Sequence, residues 1–289
     1  LTQPLKDIKF RCSDLYFKRL QRYKERIRSA TLSKTKSGNY FLSILIDLPQ
    51  EELIKFRQTN KHVGIDLGIK DFVITSDGEV FENKHFFKKQ ENKISRLQRQ
   101  LSKKQKDSNN RNKQRVRIAK AFERMTNKKD AYIHSVVNKL LTYYDTVFME
   151  DLNVKGMLKN HHIAQAINEV GFYKFKEILT NKALVNNKRV VLIDRFYPSS
   201  KTCHNCGYIK NDLTLNIRKW TCPECGIEYN RDVNAAINIL KEGSRLAMEG
   251  VTVEKVTKKK AAAKKKKAVK KTDDSTTKEV VTVATEVSA

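Results

Sequence analysis

The hydrophobic positions of the chain fall into two kinds of segment. Short apolar runs of strand length occur at residues 27–33, 40–46, 62–70, 72–75, 80–81, 146–152 and 190–194. Segments that place apolar side chains three or four positions apart, as amphipathic helices do, lie between them at residues 84–129, 132–144 and 163–185. Because strands alternate with helices along the chain, the pattern predicts an α/β protein with a mixed sheet.

Two of the predicted strands contain an acidic residue that an apolar core does not need. Asp66 lies at the centre of the first, and Glu150 lies near the end of the run that begins at residue 146. Desolvating a carboxylate without a partner costs free energy, so we expect both residues to have a functional partner. Gly64 and Gly68 flank Asp66, and their lack of side chains lets another backbone or a ligand approach closely.

A third acid, Asp232, opens an amphipathic segment that runs to residue 240. Asp is a preferred N-cap residue of helices, so a plain cap is one interpretation. Counted with Asp66 and Glu150, it completes a set of three carboxylates, which repel one another in one pocket and need divalent cations to stay ionised together. Paired Mg²⁺ ions about 3.5–4 Å apart would activate a water and stabilise the leaving oxygen in phosphodiester cleavage.

The net charge of the chain indicates its class of partner. The formal net charge is +27, and residues 251–289, with 11 Lys and 5 Asp/Glu, account for only +6 of it. A body this basic favours a polyanionic partner such as nucleic acid over solubility alone. Hydrophobic periodicity ends beyond Gly250, and the composition predicts a disordered Lys-rich tail at residues 250–289 that could add sequence-independent contacts to nucleic acid.

The most basic internal segment, residues 84–129, holds 17 Lys/Arg against 3 Asp/Glu. Polar residues 107–110 separate its two helical runs, which predicts a basic helical hairpin, and residues 132–144 predict a third helix. A solvated charged face is the alternative, but charge of nearly one sign favours a surface that contacts phosphates. The candidate nucleic-acid-binding residues are Lys103, Lys104, Lys106, Arg111, Arg115 and Arg117.

Four of the five cysteines form two C-x2-C pairs, Cys203 with Cys206 and Cys222 with Cys225, separated by fifteen residues. This spacing is typical of a structural zinc site. Four thiolates fill a tetrahedral shell with no open position, so the zinc would fold the module and perform no chemistry. Disulfides or a redox pair are the alternatives, and both fit an intracellular basic protein poorly.

No apolar run approaches the roughly 18 residues that a membrane span requires. The N-terminus has no apolar signal segment, so we expect a soluble intracellular protein without a membrane partner, cytoplasmic and nucleoid-associated in a prokaryote. The chain begins with Leu1 rather than Met, which predicts a fragment of a longer reading frame.

Four motifs occur in a recognisable order: GIDLGIK at 64–70, MEDL at 149–152, the two C-x2-C pairs, and NRDVNAA at 230–236. Together they resemble the TnpB (OrfB) family, insertion-sequence proteins with a RuvC-like nuclease domain that are related to type V CRISPR effectors. The resemblance runs from about Ile27 to Leu240. It implies an RNA-guided DNA endonuclease with DNA and a guide RNA as partners, in which Mg²⁺ or Mn²⁺ binds Asp66, Glu150 and Asp232.

The resemblance also implies an RNase H-like (RuvC) nuclease core with an inserted basic helical hairpin and a zinc ribbon. The predicted domains are a remnant of an N-terminal wedge-like β domain at 1–60, the nuclease core at 61–200 with its helical insertion at 84–144, the zinc ribbon at 201–227, the last RuvC segment and helix at 228–249, and the tail at 250–289. Of the N-terminal region that holds the duplex, only the last strands at 27–47 are expected here, so target recognition by this chain alone stays open.

Two other function classes fit part of the sequence. A truncated, non-cleaving nucleic-acid-binding protein of the same family would keep the basic hairpin, the ribbon and the tail. A structural RNA-binding zinc-ribbon protein would explain the charge and the cysteines but not three placed acids. The geometry of the acids discriminates among them, because carboxylates too far apart to share a pair of cations would leave only the binding functions.

Overall fold

A computed structural model describes residues 10–214 and 216–249 of the chain, which form two compact units. The first unit contains residues 10–53 and 91–124, and the second contains residues 54–90 and 125–249. The predicted Lys-rich tail at 250–289 lies outside the described residues.

The first unit is built on an antiparallel hairpin. Its elements are helix α1 (Asp14–Arg22), a 3-10 turn (Lys24–Arg26), strands β1 (Ile27–Lys34) and β2 (Tyr40–Ile46), and one helical turn, α2 (Gln50–Leu53). Gly38 adopts φ +92° in the turn between the strands, a conformation that favours glycine. The hairpin predicted from the two apolar runs is confirmed.

Two long helices, α3 (Phe86–Ser102) and α4 (Asn109–Tyr143), contribute residues to both units. Their basic parts form the predicted helical hairpin, in which the buried Gln114 side chain donates to the Leu97 carbonyl at 2.9 Å. The prediction of a separate third helix at 132–144 is wrong. Residues 126–130 are polar but contain neither Gly nor Pro, so nothing ends α4 there.

The second unit contains a five-stranded mixed sheet. Its strands are β3 (His62–Leu67), β4 (Asp71–Thr75), β5 (Val80–Glu82), β6 (Thr146–Glu150) and β7 (Arg189–Ile193). Their order across the sheet is β5-β4-β3-β6-β7, with β3, β6 and β7 parallel and β4 and β5 antiparallel to their neighbours. The mixed α/β architecture predicted from the sequence is confirmed.

The remaining elements of this unit follow β6 in the chain. They are α5 (Val154–Met157), α6 (His161–Val170), α7 (Phe172–Val185), the small antiparallel pair β8 (Lys219–Thr221) and β9 (Glu228–Asn230), and α8 (Arg231–Met248). The helix predicted at 163–185 is in fact two helices, because Gly171 adopts φ +78° between them. No helix among the described residues is long and apolar enough to cross a membrane.

The two faces of the sheet pack against different helices. Val147 and Met149 of β6 lie in the main core, which α4, α6 and α7 complete. Phe148 of the same strand and Ile193 of β7 pack instead with Ile239 of α8. Since side chains alternate between the faces of a strand, α8 covers the face opposite the main core.

Helix α8 approaches this face closely at two glycines, one on the sheet and one on the helix. A Cβ added to Gly64 of β3 would overlap the Ala236 carbonyl oxygen, and one added to Gly243 of α8 would overlap the Phe148 ring. The close backbone approach predicted at Gly64 is therefore confirmed. The partner is α8, whose first turn carries Asp232.

Candidate active site

Asp66 and Glu150 lie at the carboxyl ends of two adjacent parallel strands. Ile65 of β3 is paired with Met149 of β6, so the residue that follows each of them is an acid at the same level of the sheet. Ile65 and Met149 both point into the main core. Alternation therefore directs Asp66 and Glu150 to the face that α8 covers.

Asp232 is the second residue of α8. The N-cap of this helix is Asn230, whose Oδ1 accepts hydrogen bonds from the backbone N–H groups of Asp232 and Val233 at 3.0 and 3.4 Å. Because Asn230 caps the helix, capping does not explain the acid at 232. The contact between Gly64 and Ala236 places the first turn of α8 beside the end of β3 that carries Asp66.

The three carboxylates act on one another electrostatically. Burial raises the pKa of Asp66, the carboxylates of Glu150 and Asp232 raise it further, and the pKa reaches about 7. Such a group is costly to ionise unless a cation joins it. Within the described ranges, one oxygen from each of the three acids does not form a set in which all lie within 4.8 Å of one another.

Glu150 has a partner that the sequence did not reveal. The hydroxyl of Ser199, which is 5% exposed, donates to Glu150 Oε1 at 2.5 Å. Burial raises the pKa of Glu150, and the hydrogen bond from Ser199 offsets part of this rise. Ser199 lies in the loop after β7, where nothing in the hydrophobic pattern distinguishes it from an ordinary turn residue.

Asp232 also has a partner, Arg218, in the loop that precedes β8. The Arg218 guanidinium donates to both carboxylate oxygens of Asp232, at 3.0 and 3.1 Å. The arginine side chain is half exposed, whereas that of Asp232 is 19% exposed. A cation that binds Asp232 would compete with this ion pair.

Asp151 follows Glu150 but belongs to a different environment. Its carboxylate forms ion pairs with Lys176 of α7 at 2.9 Å and with Arg195 at 2.5 Å. Burial raises the pKa of Asp151, but these two hydrogen-bonded cations outweigh that effect and lower it. Asp151 is thus neutralised by the protein itself.

The four cysteines Cys203, Cys206, Cys222 and Cys225 form one cluster. Their Sγ atoms all lie within 4.8 Å of one another, and the nearest pairs are 3.5 and 3.6 Å apart. These separations are far longer than the roughly 2.05 Å of a disulfide bond, so the disulfide alternative is excluded. The predicted cluster is confirmed as a set of thiols that could hold a metal ion.

Neighbouring groups favour the thiolate form of Cys203. The Tyr229 hydroxyl lies 3.2 Å from Cys203 Sγ and 3.7 Å from Cys225 Sγ. Burial raises the pKa of the Cys203 thiol, but backbone N–H groups and Tyr229 outweigh burial and lower the pKa to about 6. At Cys206 a backbone N–H group lowers the pKa, but burial and the other three thiols outweigh it and raise the pKa to about 12. A thiolate is the form that binds a metal.

Two asparagines of α8 connect this cluster to the sheet. Asn234 Oδ1 accepts from the His204 backbone N–H at 3.0 Å, and Asn234 Nδ2 donates to the Thr202 carbonyl at 2.7 Å. Asn238, one turn later, donates to the carbonyls of Ser199 and Thr202 at 2.8 and 2.6 Å. Sequence analysis missed both roles, although two amides four positions apart on the apolar side of a helix were a signal.

The six candidate nucleic-acid-binding residues all lie on the basic hairpin of the first unit, and one of them has a structural role. Arg111 donates to the carbonyls of Leu101 and Lys104, at 3.0 and 2.9 Å, and so satisfies the end of α3. The other five are exposed or partly exposed: Lys103, Lys104, Lys106, Arg115 and Arg117.

Two family models match the chain in succession. The model OrfB_IS605, described as "Probable transposase", matches residues 43–161, and the model described as "Cas12f1-like, TNB domain" matches residues 172–239. The first match includes Asp66 and Glu150, and the second includes the four cysteines and Asp232.

Curated relatives carry nuclease names. A protein from Streptomyces pristinaespiralis, named "Putative RNA-guided DNA endonuclease", is 36% identical over 215 residues, which cover 74% of this chain and 52% of the relative. InsQ from Escherichia coli strain K12, which bears the same name, is 30% identical over 243 residues, covering 79% of this chain and 60% of InsQ. The chain thus spans about half the length of the curated relatives it matches.

A solved structure shares the fold. A chain of the cryo-EM structure of the Cas12f1-sgRNA-target DNA complex aligns with a TM-score of 0.55 and 17% identity, covering 80% of this chain and 48% of that chain. At this identity the similarity concerns the α/β fold alone. The two family models and the named relatives confirm the resemblance seen in the motifs: the chain belongs to the TnpB (OrfB) family.

Proposed function

We propose that this chain carries the nuclease centre of a divalent-metal-dependent DNA endonuclease, guided by RNA, in which Asp66, Glu150 and Asp232 bind the cations. The observation that carries the proposal is the position of Asp66 and Glu150 at the paired ends of β3 and β6, on the face covered by α8, which begins beside Asp232. The raised pKa of Asp66, to which burial, Glu150 and Asp232 contribute, supports it. Two strand ends and a helix start, far apart in sequence, thus bring acidic groups to one face of the sheet. An apolar core gains nothing from such a set, whereas a cation site requires it.

The carboxylates of Glu150 and Asp232 both act on Asp66, so Asp66 would be the carboxylate shared between cations if a pair of ions binds here. When bound, such a pair activates a water and neutralises charge on the scissile phosphate.

The residues of the chain itself perform the remaining tasks. Ser199 donates a hydrogen bond to one oxygen of Glu150 at 2.5 Å. Arg218 would stay paired with Asp232 until a cation binds the carboxylate or a phosphate binds the guanidinium. A guanidinium released from Asp232 matches the geometry of a phosphate and could orient the substrate.

We also propose a structural role for the four thiols and a division of the chain into domains. The four thiols would hold a structural zinc ion that folds residues 201–227. Residues 61–200, with the helical insertion at 84–144, and residues 228–249 would form an RNase H-like (RuvC) core, and residues 1–60 would belong to a wedge-like domain. The basic hairpin would contact the phosphates of guide RNA or DNA.

A second candidate function is nucleic-acid binding without cleavage. The pairing of Arg218 Nη1 with both carboxylate oxygens of Asp232 favours it, because Asp232 is satisfied there without any metal. The two candidates differ in one measurable property, which is cation-dependent breakage of DNA.

The test is cleavage of labelled DNA by the purified chain with its co-purified RNA, in Mg²⁺ or Mn²⁺. We expect Asp66→Ala to abolish cleavage and to leave DNA binding intact or slightly tighter, since one negative charge is removed near the phosphates. Asp212→Asn, which removes an exposed ribbon carboxylate, is the matched control and should cleave normally. The same comparison is made in a protein that also carries the N-terminal region of the relatives, and DNA that is bound there but stays intact would establish the second candidate instead.

A further inference from the structure

We propose that Ser199 is a positioning residue for Glu150. Ser199 lies in the loop that leads into the zinc ribbon, and α8 holds it in place there. The inference rests on the proposed function, because it assigns Ser199 a role only if Glu150 binds a cation. It adds a second physical link between the cysteine segment and the carboxylates, besides the ion pair of Arg218 with Asp232.

The contact between Ser199 and Glu150 is direct and partly buried. The Ser199 hydroxyl donates to Glu150 Oε1 at 2.5 Å. A serine hydroxyl can donate one hydrogen bond, and here the carboxylate of Glu150 accepts it. The bond leaves the second oxygen, Oε2, free for a cation and restricts the rotation of the Glu150 side chain.

The backbone of Ser199 is itself fixed from two sides. Its N–H donates to the Tyr197 carbonyl at 2.8 Å, and its carbonyl accepts from Asn238 Nδ2 at 2.8 Å. Asn238 is 2% exposed, so water does not compete for the hydrogen bond that its side-chain amide donates to Ser199. The hydroxyl is thus held in position by a helix that also carries Asp232.

The same amide groups reach the first cysteine pair. Asn238 and Asn234 both donate to the carbonyl of Thr202, the residue before Cys203, at 2.6 and 2.7 Å. Asn234 also accepts from the backbone N–H of His204, the residue after Cys203. A displacement of the cysteine loop would therefore be transmitted through Thr202 to Ser199, and from Ser199 to Glu150.

This arrangement resembles the outer hydrogen bonds that orient metal ligands in proteins, whose removal commonly weakens metal binding or activity about 10–100-fold. The alternative is that the Ser199 hydroxyl merely satisfies a buried acceptor and contributes to stability. The two roles differ in one respect, because only a positioning role changes cation affinity in a protein that remains folded and zinc-loaded.

The experiment measures the Mn²⁺ dissociation constant of the zinc-loaded chain by titration, together with zinc content and thermal unfolding. We expect Ser199→Ala to weaken Mn²⁺ binding about tenfold or more at unchanged zinc content, and Ser199→Thr, which keeps the hydroxyl, to restore most of the affinity. Ser135→Ala is the control, because that exposed hydroxyl donates to the Tyr132 carbonyl within α4, away from the acids. Ser199→Cys preserves the side-chain shape with a weaker donor and replaces the alanine variant if that variant does not fold.

Wild-type Mn²⁺ affinity in a folded Ser199→Ala protein would overturn the inference, as would a threonine variant that binds as weakly as alanine. Glu150→Gln, titrated in parallel, separates this failure from that of the proposed function. If Glu150→Gln also binds Mn²⁺ like the wild type, the cation site itself is wrong. If only Glu150→Gln loses affinity, the site stands and Ser199 has no positioning role.

Discussion

The guanidinium of Arg218 holds both oxygens of the Asp232 carboxylate, at 3.0 and 3.1 Å. This pair joins the cysteine-bearing segment to the first turn of α8. It also neutralises the third acid of the proposed centre, so the binding of a cation at Asp232 must displace a positive charge.

Replacing Arg218 should therefore strengthen cation binding. Arg218→Gln removes the competing charge, and because a half-exposed ion pair contributes at most about 1 kcal/mol, we expect the Mn²⁺ dissociation constant to fall roughly threefold to fivefold. Lys219→Gln, which removes a charge from the neighbouring exposed residue, should have little effect. Equal changes in the two variants would show that general charge, and not the pairing, is responsible.

Loss of one thiol should release the metal of the ribbon. Cys222→Ser should lower bound zinc below one equivalent per chain, since a structural site needs four ligands. Without zinc, residues 203–225 should lose amide-exchange protection before the sheet does, because the ribbon core contains few apolar side chains, among them Leu213 and Trp220. Cys12→Ser, which alters an exposed thiol outside the cluster, should retain full zinc, and an unchanged stoichiometry in Cys222→Ser would refute the four-cysteine site.

The basic hairpin should contribute to the salt dependence of nucleic-acid binding. Each neutralised phosphate releases counterions, so replacing Lys103, Lys104 and Lys106 with Gln should reduce the slope of log affinity against log salt by about 2–3. Fluorescence anisotropy at several salt concentrations gives the slope. Lys139→Gln is the control, because that amine is already paired with Glu79. A slope equal to that of the wild type would mean that the hairpin is only a solvated face.

Asp151 should differ sharply from its neighbour Glu150. Asp151→Asn removes two partly buried ion pairs, with Lys176 and Arg195, and should lower the free energy of unfolding by about 1–2 kcal/mol. Cation affinity and cleavage should change little, since Asp151 is directed toward α7. Urea unfolding and Mn²⁺ titration of the same variant separate the two effects. A loss of cation binding as large as that of Glu150→Gln would show that acidity in the region, and not a placed ligand, matters.

Much of the site could be predicted from the sequence because its residues violate local patterns. Asp66 and Glu150 are acids in apolar strands, and the spacing of the cysteines permits few other uses. The close approach of another backbone at Gly64 could be predicted because a glycine without a side chain lies two residues before Asp66. What these signals share is that each can be read within a few consecutive residues.

The partners of the acids could not be predicted in this way. Ser199 and Arg218 lie in loops, and their contacts with Glu150 and Asp232 depend on how α8 and the ribbon fold back onto the sheet. The continuity of α4 was missed for another reason. A change in the polarity of a helix face was taken as a boundary, although no residue there interrupts the helical hydrogen bonds.

Burial and two other carboxylates raise the pKa of Asp66 to about 7, and in the proposed function Asp66 loses its proton when it binds a divalent cation. The most direct test is calorimetric titration of Mn²⁺ into the zinc-loaded chain at pH 6 and pH 8, in buffers of different ionisation enthalpy. At pH 6 most Asp66 carboxyls hold a proton that a cation must displace, whereas at pH 8 most have already lost it. We therefore predict the release of close to one proton per binding event at pH 6, very few at pH 8, tighter binding at pH 8, and loss of binding in Asp66→Ala. Mn²⁺ binding by Asp66→Ala with wild-type affinity and the same proton release would contradict the account.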